Sequence, residues 1–170
     1  MVVIILGFII FISIFILCIL LMIALISYQQ IKREDKVIEH IEKLVTGSRW
    51  YEPEEFLDLR VEKKAFNNRS RISTDYNLPG IYILHNVSED LHYVGQSIRV
   101  LDRAAAHFMG RGNGDVYADY KYGRRFRISI ILLENTQYSS LDELERDAIL
   151  TFKAYNKGYN RTRGNSTKIY

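Results

Sequence analysis

Cysteine is nearly absent from this chain of 170 residues. The single one, Cys18, lies inside an apolar run, so the polar part of the chain has neither a disulfide framework nor a cysteine-based zinc site. Charged residues are also absent from residues 1–31, which contain no Lys, Arg, Asp or Glu. After this segment there is no internal repeat and no extended low-complexity tract. Disulfide-stabilised and repeat architectures are therefore excluded for the polar part.

The uncharged N-terminal segment is long enough to cross a membrane. From residue 2 to residue 26 it is almost wholly Val, Ile, Leu and Phe, and a bilayer core requires about 20 apolar residues. A secretory signal would have a positive N-terminal region and a shorter apolar stretch. We therefore predict a retained transmembrane helix over residues 1–28, with a cleaved signal or a buried core helix as the alternatives.

The basic residues beside the apolar segment predict its orientation. Lys32, Arg33, Lys36 and Lys43 all follow the segment, whereas only the amino terminus precedes it. Cytoplasmic flanks of membrane spans collect Lys and Arg. The sequence therefore predicts a single-pass protein of the cell membrane whose polar domain is cytoplasmic.

The remaining residues, about 140, suffice for one domain and a connector. Residues 29–75 are predicted to form a juxtamembrane helix and a linker. The apolar residues of the helix fall on one side, and Gly47 supplies a stop; they are Ile31, Ile38, Ile41, Leu44 and Val45. This stripe could dock on the domain, lie on the lipid bilayer or form a homodimer with a second copy.

Residues 76–165 have the pattern of a small α+β domain, followed by a tail at 166–170. Strand composition occurs at residues 81–84, 92–94 and 125–134, and helical periodicity at 98–109, 116–123 and 139–156. Ser97 is a candidate cap for the first helix, and Ser140 with Glu143 forms a capping box for the last. The order of elements predicts a three-stranded antiparallel sheet flanked by helices.

One acidic residue of the last helix lies within or at the edge of its apolar arc. At about 100° per residue, Glu145 projects between Ile149 and Phe152, whereas Asp142 and Asp147 are predicted to point elsewhere. A buried carboxylate requires a compensating cation or hydrogen bonds. The partner could be an arginine in a structural ion pair or a divalent metal ion, and periodicity alone favours the ion pair.

The first two predicted strands are expected to form a β-hairpin, and two short motifs in it resemble the signature of the GIY-YIG nucleases. The tripeptides are Gly80-Ile81-Tyr82 and Tyr93-Val94-Gly95, with valine in place of the commoner isoleucine. Four further residues stand at matching positions in the same order: Arg103, His107, Glu145 and Asn160. The resemblance covers roughly residues 78–162, and six positions at matching spacing make it far more specific than one tripeptide.

The resemblance implies metal-dependent hydrolysis of a phosphodiester bond. Glu145 would bind a divalent ion, Mg²⁺ or Mn²⁺, which acts as a Lewis acid, and Arg103 would bind the phosphate. Tyr82 or Tyr93 would activate water, and His107 would relay the proton or contact phosphate. Asn160 would orient or lock the fold. With a family metal site at Glu145, the metal alternative becomes the favoured one.

DNA is the expected partner, and six basic residues are candidate DNA-binding residues: Arg99, Arg111, Lys121, Arg124, Arg125 and Arg127. Such contacts would bind phosphates without reading sequence. Since no further module follows the domain in this sequence, we expect low sequence specificity or selectivity for DNA structure. A membrane-anchored endonuclease that attacks incoming foreign DNA, as in phage defence, is the leading hypothesis. The alternatives are a catalytically silent DNA tether and a secreted or surface scavenging nuclease.

Overall fold

A computed structural model describes residues 2–58 and 77–164, with side chains from residue 11 onward. Most of the predicted linker, residues 59–75, and the tail lie outside the described residues. The helices are α1 (Val2–Thr46), α2 (Val100–Phe108), α3 (Gly114–Lys121) and α4 (Leu141–Thr151). The strands are β1 (Trp50–Tyr51), β2 (Gly80–Asn86), β3 (Leu91–Ser97) and β4 (Phe126–Leu132). A short 3₁₀ helix spans Leu133–Asn135, and residues 53–58 are also helical.

The chain divides into two compact units, Met1–Val37 and Ile38–Tyr170. The first unit consists of the N-terminal part of α1, and its large apolar side chains from Phe11 to Ile31 are exposed. Within the described residues, Phe11–Thr46 is the segment that by length and composition could cross a membrane. Exposed apolar side chains on every side of a helix are compatible with a lipid environment.

The end of α1 contributes to the core of the second unit. Ile41 is fully buried and Val45 nearly so, and both pack in a cluster with Ile83 and Leu144. The helix ends at Thr46, one residue before the predicted stop at Gly47. For this part of the amphipathic stripe, docking on the domain is therefore the alternative that the structure shows.

The sheet has four antiparallel strands in the order β1-β4-β2-β3, so the prediction of three strands was wrong. The extra strand is β1, in which Trp50 and Tyr51 pair with Ser129 and Ile128 of β4. Two residues are too short to show the alternation by which a strand is identified from sequence. The three predicted strands and their flanking helices are confirmed.

The sheet separates two clusters of buried side chains. On one face Tyr82, Leu84 and Phe126 pack against α2 and α3. On the other face Ile81, Ile83 and α4 pack together with the end of α1. Because side chains alternate along a strand, neighbouring residues of the hairpin formed by β2 and β3 serve opposite faces.

Helix α2 is capped from a distance rather than by Ser97. Ser97 is the last residue of β3, and its hydroxyl accepts a hydrogen bond from the Arg99 backbone N–H. The N-cap residue is Arg99, which makes no side-chain cap. Instead the Asn77 side-chain oxygen accepts from the N–H groups of Leu101 and Asp102, at 2.9 and 3.3 Å. A residue more than twenty positions away therefore satisfies the first turn.

Helix α4 has half of the predicted capping box. The Ser140 hydroxyl accepts a hydrogen bond from the Glu143 N–H at 3.2 Å, as predicted. The Glu143 carboxylate accepts from the Ser139 hydroxyl instead of returning to the cap backbone. The helix start is therefore fixed as the sequence indicates, and the orientation of Glu145 follows from it.

Candidate active site

Tyr82 and Tyr93 lie together on the sheet face that packs against α2. Tyr82 is 1% exposed and pairs in register with Gly95, whereas Tyr93 is partly exposed. Their ring centroids are 6.1 Å apart, and both rings contact the ring of His107, at 5.3 and 4.8 Å. Three of the predicted site residues therefore form one aromatic cluster.

The glycine of each motif provides space for a close approach. A Cβ on Gly95 would overlap the hydroxyl of Tyr82, its partner across the strand pair. A Cβ on Gly80 would lie 2.5 Å from the carbonyl oxygen of Ile131 in β4. Any larger residue at Gly95 would therefore displace a tyrosine ring from the cluster, and one at Gly80 would separate two strands.

His107 is fully buried, and its hydrogen bonds define its protonation. The backbone N–H of Asn113 donates to His107 Nδ1 at 2.9 Å, so Nδ1 is an acceptor. Burial, followed by the charge of Arg103, lowers the pKa of His107 to about 4, so the ring is neutral at neutral pH. Its proton therefore resides on Nε2, which lies 3.0 Å from the Tyr82 hydroxyl and donates to it.

The two tyrosines differ in how readily they ionise. Burial first, and then Tyr93, raises the pKa of Tyr82 far above its usual value, while Arg103 opposes the change. Burial also raises the pKa of Tyr93, but its hydrogen bond with Tyr82 and the charge of Arg103 lower it. Tyr93 is the more exposed and the more easily deprotonated of the pair. The guanidinium of Arg103 is close enough to influence both hydroxyls.

Glu145 reaches this cluster around the edge strand β3. Gln96 Nε2 donates to Glu145 Oε2 at 3.0 Å and to Asp142 Oδ1 at 2.6 Å. The expectation that Asp142 points elsewhere was therefore wrong. Residues three apart on a helix share a face, and Gln96 joins the two carboxylates of that face. The charge of Glu145 also raises the pKa of Tyr93, so the carboxylate is close enough to act electrostatically on Tyr93.

The surroundings of Glu145 suit a divalent cation. Burial first, with the nearby charge of Asp142, raises the pKa of Glu145, whereas hydrogen bonds from Gln96 lower it. Within residues 11–58 and 77–164, no Lys, Arg or His lies within ion-pair distance of this carboxylate. The ion-pair alternative therefore has no partner in that part of the chain. Two neighbouring carboxylates at a half-buried position are the hard oxygen donors that Mg²⁺ prefers.

Asn160 is joined to the backbone of the YVG motif. Its side-chain oxygen accepts from the Val94 N–H at 2.8 Å, and its nitrogen donates to the Val94 carbonyl at 2.7 Å. The preceding residue, Tyr159, continues this attachment through its N–H to the His92 carbonyl at 2.9 Å. Asn160 thus pairs with the outer edge of β3, which agrees with an orienting role.

The six candidate DNA-binding residues are dispersed. Three are paired with carboxylates: Arg99 with Asp102, Arg124 with Glu89, and Arg127 with Glu52. Arg111, Lys121 and Arg125 are exposed. Arg127 pairs in register with His85, so it projects from the sheet face opposite Tyr82. The structure therefore does not bring all six to the tyrosine face, and their contact with DNA stays a prediction.

Two further residues, Gln96 and Asn113, contact predicted site residues, although neither was predicted from the sequence. Gln96 directly follows the second motif and holds Glu145. The Asn113 side chain caps α3 through the N–H groups of Asp115 and Val116, while its backbone fixes His107. A sequence signal existed only for Asn113, because Asn is a favoured N-cap residue.

The family model for the GIY-YIG catalytic domain matches residues 78–160 of the chain. The match includes both tripeptide motifs, all the clustered side chains and Asn160. No match was found among curated proteins or among solved structures. A GIY-YIG domain implies nuclease activity, with DNA as the substrate. The class of protein that the sequence motifs and the clustered site indicate is therefore a nuclease.

Proposed function

We propose that this protein is a membrane-anchored, metal-dependent DNA endonuclease of low sequence specificity. The observation that carries the proposal is the cluster of Tyr82, Tyr93 and His107 from two strands and a helix, beside Arg103 and within the electrostatic influence of Glu145. Each has a role in phosphodiester hydrolysis that its surroundings support.

Tyr93 is the proposed general base. His107 donates to the Tyr82 oxygen, so the Tyr82 hydroxyl is left to donate toward Tyr93, whose pKa that hydrogen bond lowers. Tyr93 is also the tyrosine with access to solvent. Tyr93 would accept the proton of the attacking water, while Tyr82 and His107 orient the Tyr93 side chain. Because both tyrosine pKa values are raised, the base is neutral at rest, and approach of cations is needed to ionise it.

Arg103 and Glu145 are proposed to divide the phosphate chemistry between them. Arg103 can donate two parallel hydrogen bonds to the non-bridging oxygens, which become more negative during the reaction. Glu145 would hold the divalent ion, with Asp142 beside it and Gln96 fixing one of its oxygens. When bound there, the ion supplies Lewis-acid stabilisation of the scissile phosphate and the leaving oxygen.

The membrane attachment is part of the proposal and rests on the exposed apolar part of α1. The basic residues that follow it favour a cytoplasmic domain. An unselective nuclease free in the cytoplasm would endanger resident DNA, whereas an anchored one acts on a narrow zone beside the membrane. DNA that enters through the envelope, from phage or by conjugation, must cross this zone. Such incoming DNA is the proposed substrate.

The decisive test of nuclease function uses the full chain in detergent with supercoiled and linear DNA. We expect cleavage with Mg²⁺ or Mn²⁺ that stops on addition of chelator. Glu145→Gln should lower the rate at least about a hundredfold, the scale of a lost electrostatic contribution to the transition state. Glu143→Gln, on the same helix, is the matched control and should cut normally. Metal-independent DNA binding without cleavage would instead support the silent tether.

The role of the anchor requires a separate test in cells. Phage plating and conjugation efficiency would be measured with wild type, with Glu145→Gln and with a form lacking residues 1–27. We expect protection by wild type alone, although the truncated form should still cut DNA in the tube. Full protection by the truncated form would remove the anchor from the explanation. Equal protection by Glu145→Gln would remove the chemistry.

The topology is tested by labelling a single cysteine. In a Cys18→Ser background, a cysteine introduced by Ser166→Cys should react with a membrane-impermeant reagent only after the cells are opened. Ready labelling of intact cells would contradict a cytoplasmic domain and would favour the surface nuclease.

A further inference from the structure

The far end of the β2–β3 hairpin carries a second group of polar side chains. His85 on β2 and His92 on β3 are paired in register, and Asp90 precedes β3 in the turn that joins the strands. The histidines project from the sheet face opposite Tyr82, because each is an odd number of residues from a tyrosine of its own strand. Gln96, the partner of Glu145, lies on the same face as the histidines but four residues beyond His92 along β3, roughly 13 Å away, so this group is separate from the Glu145 carboxylate.

The three side chains converge on one small volume. One ring nitrogen of each histidine and a carboxylate oxygen of Asp90 all lie within 4.8 Å of one another. His85 Nε2 is 3.1 Å from Asp90 Oδ1, and the two imidazoles stack with centroids 4.1 Å apart and planes 5° from parallel. Ligands of tetrahedral Zn²⁺ are separated by about 3.3 Å, given metal–ligand bonds of about 2.0–2.1 Å. Coordination would require the donor atoms to approach by roughly 1.5 Å at most, and the two parallel rings to rotate, because a metal ion lies in the plane of each imidazole that binds it.

Aromatic side chains contact both imidazoles, whereas the carboxylate of Asp90 is exposed and can adjust its position. Trp50 contacts His85 edge-on at 6.3 Å, and Phe152 stacks on His92 at 5.0 Å. The Asp90 side chain is 88% exposed, so it can move without disturbing the core.

The donor set selects the class of ion. Two imidazole nitrogens and one carboxylate oxygen suit Zn²⁺ and neighbouring transition metals, whereas Mg²⁺ prefers oxygen ligands alone. On the neighbouring strand β4, Arg127 pairs in register with His85, and its guanidinium forms an ion pair with Glu52 at 3.3 Å. Its charge is thus partly compensated before an ion approaches.

We propose that His85, Asp90 and His92 form a binding site for a divalent transition-metal ion, Zn²⁺ or one of similar preference, that clamps the β2–β3 hairpin. A metal ion at this position would stabilise the strand pair next to the tyrosines. Tyr93 directly follows His92, so a fixed strand pair at the histidines also fixes the register of the tyrosines. The chain has no cysteine outside the apolar segment with which to make a disulfide or thiolate staple.

The test is calorimetric titration of metal-stripped full-length protein with Zn²⁺ in detergent, in a Glu145→Gln background so that the active-site carboxylate does not contribute. We expect one equivalent to bind with a Kd of about 10 µM or tighter. Adding Asp90→Asn should weaken binding at least about tenfold. Asn tolerates the positive backbone φ of 53° at this position, so the turn is preserved. Glu89→Gln is the matched control and should bind Zn²⁺ unchanged.

A second measurement identifies the ligands directly. Co²⁺ in place of Zn²⁺ should give visible absorption bands typical of low coordination in the Glu145→Gln protein, and His85→Gln should abolish them. Circular dichroism would verify that the variant is folded; if it is not, the result with Asp90→Asn decides. The proposal is overturned if no saturable Zn²⁺ binding occurs, or if Asp90→Asn binds Zn²⁺ as tightly as its parent.

Discussion

The two ends of the β2–β3 hairpin place pairs of ring side chains on opposite faces of the same sheet. At one end, Tyr82 and Tyr93 are linked through hydroxyl groups to His107 and lie beside Arg103 and Glu145. At the other end, His85 and His92 stack on each other beside the exposed carboxylate of Asp90 in the turn. Adjacent residues such as His92 and Tyr93 therefore belong to different sites, since the side-chain direction alternates.

The difference between the ends is one of charge. The tyrosine end combines the Arg103 guanidinium and the Glu145 carboxylate with two tyrosines whose pKa values they shift, as is common at functional sites. The histidine end combines two partly buried imidazoles with the exposed carboxylate of Asp90. One hairpin can thus serve a reactive site and a structural one, provided that its register is fixed. The following predictions test that division, from the largest expected effect to the smallest.

Removing the hydroxyl of Tyr93 should have the largest effect. Tyr93→Phe should lower the cleavage rate about 10²–10⁴-fold, the usual contribution of a general base, with little change in stability. The wild-type rate should rise with pH across the neutral to alkaline range, because a raised pKa leaves little phenolate at pH 7. Initial rates measured between pH 6 and pH 9 would show this. If Tyr82→Phe loses more activity than Tyr93→Phe, the assignment of the base is reversed.

Arginines on the two faces of the sheet should differ in their effect on cleavage. Arg103→Ala should cost at least about a hundredfold, roughly 2.7–4 kcal/mol of transition-state stabilisation. Arg127→Ala, on the opposite face, should retain cleavage close to wild type. Single-turnover rates at saturating protein separate chemistry from DNA binding. Equal losses in the two variants would show that DNA contacts both faces and would end the distinction drawn between them.

Gly95→Ala should destabilise the domain by about 1–3 kcal/mol, the usual cost of overpacking, because its Cβ would overlap the Tyr82 hydroxyl. Gly114→Ala is the matched control. No atom lies within 4 Å of a Cβ at Gly114, at the start of α3, so that variant should be as stable as wild type or slightly more so. Urea unfolding of both proteins measures the difference. An equally stable Gly95→Ala protein would mean that the ring moves freely.

Acid should lower the stability of the domain through protonation of His107. Its folded pKa is lowered from 6.5 to about 4, so the unfolded chain binds more protons between these values, and stability falls as pH decreases from about 6.5 to 4. The slope from one such group is at most about 1.4 kcal/mol per pH unit. Burial also lowers the pKa of His92 to about 4, so this residue adds a second contribution to the loss of stability with decreasing pH. Urea unfolding at pH 7 and pH 5 should therefore show a smaller pH dependence for His107→Gln than for wild type.

Several elements could be predicted because their signal is local. The uncharged run of α1, the periodicity of α2 and α4 and the alternation in β2 and β3 each lie within one stretch of sequence. The strand β1 gave no such signal, because Trp50 and Tyr51 are a strand only where β4 supplies hydrogen bonds. The predicted cap of α2 at Ser97 was wrong for a similar reason, because Asn77, which accepts from the first turn, lies far from the helix in sequence.

The sequence by itself determined that an apolar helix precedes a small α+β domain, and that residues of this domain match the GIY-YIG signature in order and spacing. Only the tertiary structure decided which side chains meet: Gln96 with Glu145, Asn113 with His107, and His85 with His92. These contacts depend on strand register and on how the helices pack against the sheet. A shift of one residue would turn each strand's side chains to the other face, so the residue types alone do not specify such contacts.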